Sequence, residues 1–115
     1  MTEFIYKLFR NSEWEQVKNS TAFVGSSDDL RDGFLHFSSA DQVRTTCDLH
    51  FHGEHSLVMA AVDASALGAA LKWEVSRGGA KFPHLYRPLN LDEVHWVFEI
   101  RRDAHGHPIF PPEIV

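Results

Sequence analysis

The feature that most constrains the fold is the run Leu57-Val58-Met59-Ala60-Ala61-Val62, apolar at every position. A strand with one wet face alternates polar and apolar residues, so a run this uniform is covered on both sides. It falls short of the roughly 20 apolar residues of a membrane helix. Its extension toward Leu71 meets Asp63 and Ser65. We therefore read it as the central strand of a sheet packed on both faces. With 115 residues the chain holds one core of ordinary size, and 1–115 is read as a single domain.

Other segments supply the neighbours. Phe4-Ile5-Tyr6-Lys7-Leu8-Phe9 reads as a first strand, Phe34-Leu35-His36-Phe37 as a second, and Leu71-Lys72-Trp73-Glu74-Val75 as a half-buried one. Phe82 to Tyr86 is a short extended segment, and Val94 to Ile100 a well-packed late strand. Ser12-Glu13-Trp14-Glu15 and Ser39-Ala40-Asp41-Gln42 have the spacing of capping boxes. They predict helices from Glu13 to about Lys18 and from Ser39 through about Leu49. Gly25 to Asp29, Asp32-Gly33, Gly78-Gly79 and Asp103 to Gly106 are turn signals, and Pro111-Pro112 excludes regular structure. Strands outnumber helices without a βαβ alternation, which is α+β.

Charge and composition remove several function classes. A net charge of −5 disfavours binding along a phosphate backbone, so nucleic acid is the least expected large partner. The first residues lack a basic and then apolar signal, and nothing is long enough to span a membrane. The one cysteine, Cys47, has no internal partner, which fits the reducing cytoplasm. No GxGxxG or P-loop motif occurs, no resident cofactor is read, and no residue pattern names a protein partner.

Polar residues at strand spacing carry the chemistry. His36 and Ser38 share one face of a strand, about 6–7 Å apart, as a sugar edge would require. A histidine held by a backbone carbonyl is the structural alternative. In Trp73-Glu74-Val75-Ser76-Arg77-Gly78-Gly79, Trp73 offers a stacking face and Arg77 a fork for phosphate or carboxylate. Glu74 can hold ribose hydroxyls or stabilise an oxocarbenium-like centre, and a tight turn with a surface ion pair is the alternative. His84 and Tyr86 again lie two apart. The expectation is a polar cleft formed by these seven residues.

A rival reading is a metal-dependent hydrolase built on His50, His52 and His55, because zinc needs three or four converging ligands. Cys47 and His50 also fall on one helical face, as a Cys-His nucleophilic pair would, although a cysteine there is more often core.

Beyond these readings, Asp32-Gly33-Phe34-Leu35-His36-Phe37-Ser38-Ser39 and Phe82-Pro83-His84-Leu85-Tyr86 stand in order with Ile5-Tyr6-Lys7-Leu8, Trp14 and Leu71-Lys72-Trp73-Glu74. From Phe4 to about Ile100 the chain resembles the family called domain of unknown function 952. The resemblance implies an ADP-ribosyltransferase-like fold, a split β-sandwich with short flanking helices. In that superfamily a histidine and a hydroxyl two positions on meet the ribose of NAD or a related nucleotide. His36 and Ser38 look like that element. The resemblance further implies a tyrosine on a middle strand, for which Tyr86 stands in, and a glutamate, for which Glu74 or Glu99 does. The tRNA 2′-phosphotransferases, similar in fold, use His-x-Ser with arginines, and Arg77 and Arg87 fit that pattern loosely. The expected chemistry is ribosyl transfer with NAD as substrate: His36 orients ribose, Tyr86 stacks on nicotinamide and Glu74 stabilises the ribosyl cation. Ser38, Trp73, Arg77 and His84 bind the ligand. NAD, ADP-ribose or a related nucleotide is the ligand class, and a non-catalytic module for a small molecule or protein is the alternative.

Overall fold

The structure is a computed structural model that describes residues 2–114. Its elements in order are β1 (Phe4–Phe9), α1 (Asn11–Ser20), β2 (Ala22–Phe23), α2 (Ser27–Asp32), β3 (Leu35–His36), α3 (Val43–His50), β4 (Ser56–Asp63), β5 (Leu71–Val75), β6 (Lys81–Leu85), β7 (Leu89–Asn90) and β8 (Val94–Arg101), with 3-10 turns at Ala64–Ala70, Arg77–Gly79 and Leu91–Glu93. It is α+β, and its strand pairs are antiparallel.

The apolar run occupies the centre of a three-stranded sheet in the order β1-β4-β8. Alternation along β4 divides the interior in two. Leu57, Met59 and Ala61 pack with Tyr6, Leu8, Val43, Cys47 and Ile100. Ala60 and Val62 pack with Ile5, Phe9, Phe23, Leu35 and Leu85 on the other face. This double coverage is why β4 carries no polar residue between Ser56 and Asp63.

A second sheet has the order β3-β6-β5, and β2-β7 form a small third pair. The two larger sheets are tied by the chain after β3. Phe37 N–H donates to the Pro83 carbonyl at 3.0 Å, so that residue still runs along β6. One residue later Ser38 exchanges two 2.8 Å backbone bonds with Tyr6 of β1. The chain therefore leaves one sheet for the other between Phe37 and Ser38. That divergence limits β3 to two residues, where a four-residue strand was expected, and it opens a gap between the sheets.

Two helix starts differ from expectation. The first begins at Asn11, because Glu13 accepts the Arg10 N–H at 2.8 Å and Arg10, not Ser12, is the flanking residue. The segment read as a turn at Gly25 to Asp29 opens α2 instead. The Ser26 hydroxyl accepts the Asp29 N–H at 3.2 Å, and the Asp29 carboxylate accepts the Ser26 N–H at 2.9 Å. At Ser39, Gln42 does reach back to the Ser39 N–H at 3.0 Å, but a tight turn intervenes and α3 starts only at Val43. The late strand β8 is exposed at alternate positions, with Ile100 its buried residue. Among the described residues no helix is long and apolar enough to cross a membrane.

Candidate functional site

A hollow of about 390 Å³ lies where the sheets part, walled by β1, α2, β3, α3 and β6. The pleat decides what faces it. Leu35 and Leu85 are paired across β3 and β6 and point into the core, so their neighbours His36 and His84, also paired, point the other way. Both imidazoles line the hollow.

One wall is a buried charge cluster. In β1, Lys7 falls on the same face as Ile5 and Phe9, which turns its ammonium into the interior, 5% exposed. A lone charge there would be costly. Asp29, 3% exposed, meets it at 3.1 Å, the His36 carbonyl accepts a second bond at 2.9 Å, and the rings of Phe9, Phe23 and Phe37 surround it at 5.6–5.8 Å. Burial pulls Lys7 below its ordinary value, against the opposing pull of Asp29. Asp29 also accepts from the His36 backbone N–H at 3.1 Å and lies 2.6 Å from His36 Nδ1. Burial raises the Asp29 carboxyl, but the His36 bond and the Lys7 charge outweigh it and hold that carboxyl well below the usual carboxylate range. His36 Nε2 lies 2.9 Å from Asp32, which its bond from Arg31 keeps low as well. Both His36 nitrogens thus lie within hydrogen-bond distance of a carboxylate.

The opposite wall carries a cation of another kind. Arg77 donates to the Thr46 hydroxyl at 3.2 Å and lies over the Phe82 ring at 4.7 Å. Thr46 gives its own proton to the Gln42 carbonyl at 3.1 Å, so Ser38, 2.8 Å away, is the donor in their pair. The other arginines at the hollow are paired, Arg10 with Glu13 and Glu54 and Arg31 with Asp28 and Asp32. Among the described residues Arg77 has no carboxylate partner.

Behind His84 stands a third group. His84 Nδ1 lies 2.8 Å from Glu74 Oε1, the same oxygen accepts the Tyr86 hydroxyl at 2.7 Å, and Phe34 stacks on the His84 ring at 3.9 Å. The bonds from Tyr86 and His84 hold the Glu74 carboxyl below its ordinary value.

The family described as protein of unknown function (DUF952) matches residues 8–97. The chain belongs to that family. The crystal structure of protein CC0527 from Caulobacter crescentus is similar, with TM-score 0.87 and 47% identity over 92% of this chain and 93% of that one. The solution NMR structure of CC0527 gives 0.82 and 48% over 91% and 90%. No curated protein matches.

Within this DUF952 chain the seven expected cleft residues divide. His36, Ser38, Arg77 and His84 line the hollow, whereas Trp73, Glu74 and Tyr86 do not. The strand itself separates Trp73 from Glu74, since adjacent residues of β5 face opposite ways. Glu74 is drawn to His84 and Tyr86, so the expected arrangement of His36, Glu74 and Tyr86 around one ligand is not formed. Glu99 pairs with Arg101 on exposed β8, and Arg87 is clamped by Glu93 at 2.7 and 2.9 Å. The histidine cluster does not converge either. His50 borders this hollow, His52 and His55 border a shallow groove elsewhere, and among the described residues no three metal-ligating side chains come together. Cys47 is fully buried in the core, and burial pushes its thiol up, which removes it as a nucleophile.

Lys7, Asp29, Asp32 and Thr46 at the hollow were not foreseen. Signals existed for three. Lys7 is flanked at two-residue spacing by Ile5 and Phe9, Asp29 completes Ser26-x-x-Asp29, and Thr46 sits four after Gln42 on α3.

Proposed function

We propose that the hollow binds a small phosphorylated ligand of the nucleotide class, with ADP-ribose and NAD as its representatives, and that the domain acts as a binding module. The observation that carries this is Arg77. Among the described residues it is the cation of the hollow without a carboxylate partner, and it stands beside the Ser38 and Thr46 hydroxyls. A phosphate or another oxyanion is the chemistry such a corner takes. The gap between two antiparallel sheets supports kinship with the ADP-ribosyltransferase-like split β-sandwich. For ribosyl transfer the resemblance implies a glutamate facing the ribose. Glu74 is committed to His84 and Tyr86, so binding without turnover is the reading the geometry favours. The buried unpaired thiol of Cys47 supports a reducing, cytoplasmic location.

The test is an NMR titration of the labelled protein with ADP-ribose and with NAD. Shifts are expected at Ser38, Thr46 and Arg77, weakened at least tenfold in Arg77→Met, with no nicotinamide released from NAD. The absence of shifts at millimolar ligand overturns the proposal.

A further inference from the structure

We infer that His84 supplies a hydrogen-bond acceptor to the hollow, and that it selects phosphorylated ligands carrying a free hydroxyl, such as sugar phosphates, over bare oxyanions. The inference rests on the reading of the Arg77 corner as an anion site and adds what the rest of the ligand must present.

The two histidines of the hollow differ in what their nitrogens meet. Both His36 nitrogens are engaged by carboxylates, so His36 offers the hollow no free nitrogen. In His84 only Nδ1 is engaged. Glu74 is held ionised by its bonds from Tyr86 and His84, so it accepts and Nδ1 carries the proton. In the neutral imidazole that leaves Nε2 as the unprotonated nitrogen. No described residue bonds to Nε2, and no buried side-chain nitrogen or oxygen among the described residues lacks a partner, so Nε2 reaches open space. The open space that His84 borders is the hollow.

The ring is also held in place. Phe34 stacks on it at 3.9 Å with 23° between planes, and Glu74 and Tyr86 fix its far edge. A lone pair held rigidly in a pocket discriminates by leaving itself unpaired when the ligand brings no donor. On the Arg77 side the guanidinium is a donor suited to an oxyanion. A ligand that satisfies both carries negative oxygens at one end and an O–H within the same small molecule.

The experiment uses the full chain labelled with 15N, with inorganic phosphate and ribose 5-phosphate as probes and long-range proton–nitrogen spectra of the imidazoles as readout. In the free protein His84 is expected as the Nδ1-protonated tautomer. A protonated Nε2 with bare Nδ1 overturns the inference. Ribose 5-phosphate should bind about tenfold tighter than phosphate, as one hydrogen bond would give, and should shift His84 Nε2 on binding. His84→Phe should bring the two probes to equal affinity. Because His84 is buried in β6, Glu74→Ala on the edge strand serves as the second variant: it should lose the single tautomer and about threefold of the preference, with phosphate affinity unchanged. If both probes bind alike and Nε2 does not move, the inference fails while the anion site stands. If neither probe binds, the anion site fails and the inference with it.

Discussion

Replacing Asp29 with Asn tests the buried charge cluster directly. The carboxylate receives its donors on both oxygens. Oδ1 faces His36 Nδ1 at 2.6 Å and the His36 N–H at 3.1 Å, and Oδ2 faces the Ser26 N–H at 2.9 Å and Lys7 at 3.1 Å. An amide has one oxygen, so whichever way it turns, its NH2 meets donors. It also leaves the Lys7 ammonium, 5% exposed, without a counter-charge. Breaking a buried pair from one side costs about 3–5 kcal/mol, and the donor–donor clash puts this case near 4 kcal/mol. A domain has about 5–15 kcal/mol in total, so Asp29→Asn should lower the urea midpoint by about 2 M. Lys7→Met fills the same aromatic space and leaves Asp29 bonded to His36 and Ser26, so it should cost about 1–2 kcal/mol. The double variant should be more stable than Asp29→Asn alone. If the two single effects add to within about 0.5 kcal/mol, the residues are not coupled and the cluster does not hold the wall as argued.

The same carboxylate sets an acid dependence. Its folded value lies well below the ordinary carboxyl value near pH 4, so between those values the unfolded chain binds a proton that the folded chain does not. Stability contributed by Asp29 is therefore full above about pH 4 and is lost as pH falls toward the folded value. Asp29→Asn should flatten the fall of the urea midpoint below pH 4, and an unchanged slope would contradict the assignment.

Three further expectations follow from single contacts. Gly25 has φ +141°, and a Cβ there would lie 2.9 Å from Asp29 Cβ, so Gly25→Ala should destabilise by about 1–3 kcal/mol, read as a drop of several degrees in the thermal midpoint. Cys47 is fully buried with its thiol pushed up, so a disulfide reagent should label it only after urea unfolding, and rapid native labelling would contradict the core placement. Tyr86→Phe removes the main bond that lowers Glu74, so the Glu74 carboxyl should titrate closer to its ordinary value in a 13C NMR titration.

What the sequence made legible was set by how local the cause is. The uniform run at 57–62 places β4 at the centre because burial on both faces is written into each residue. The bounds of β1 and β5 follow from alternation and from the turns that flank them. The second helix was missed because Gly25 to Asp29 carries turn residues and a capping box at once, and only the carboxylate of Asp29 on Ser26 N–H decides between them. The short β3 could not be read, since it ends where the chain changes sheets, a fact of long-range pairing between Tyr6 and Ser38. For the site, four of the seven cleft residues line the hollow, and Trp73 was excludable beforehand by the pleat that gave it to the face opposite Glu74.

The two strand histidines show where such reading stops. His36 and His84 each lie in a strand, each two positions before a residue with a hydroxyl, and each on the face that meets the hollow. Their chemistry diverges because α2 folds over β3 and brings two carboxylates to His36, while the edge strand β5 brings one carboxylate to His84. An imidazole with a carboxylate at each nitrogen is engaged at both edges and joins the two. An imidazole with one carboxylate partner has, in its neutral form, a second nitrogen that can accept a hydrogen bond from whatever enters. The motif that draws attention to His36 thus belongs, in this chain, to the framework of the hollow, and the nitrogen free to act on a ligand is the one opposite it on β6.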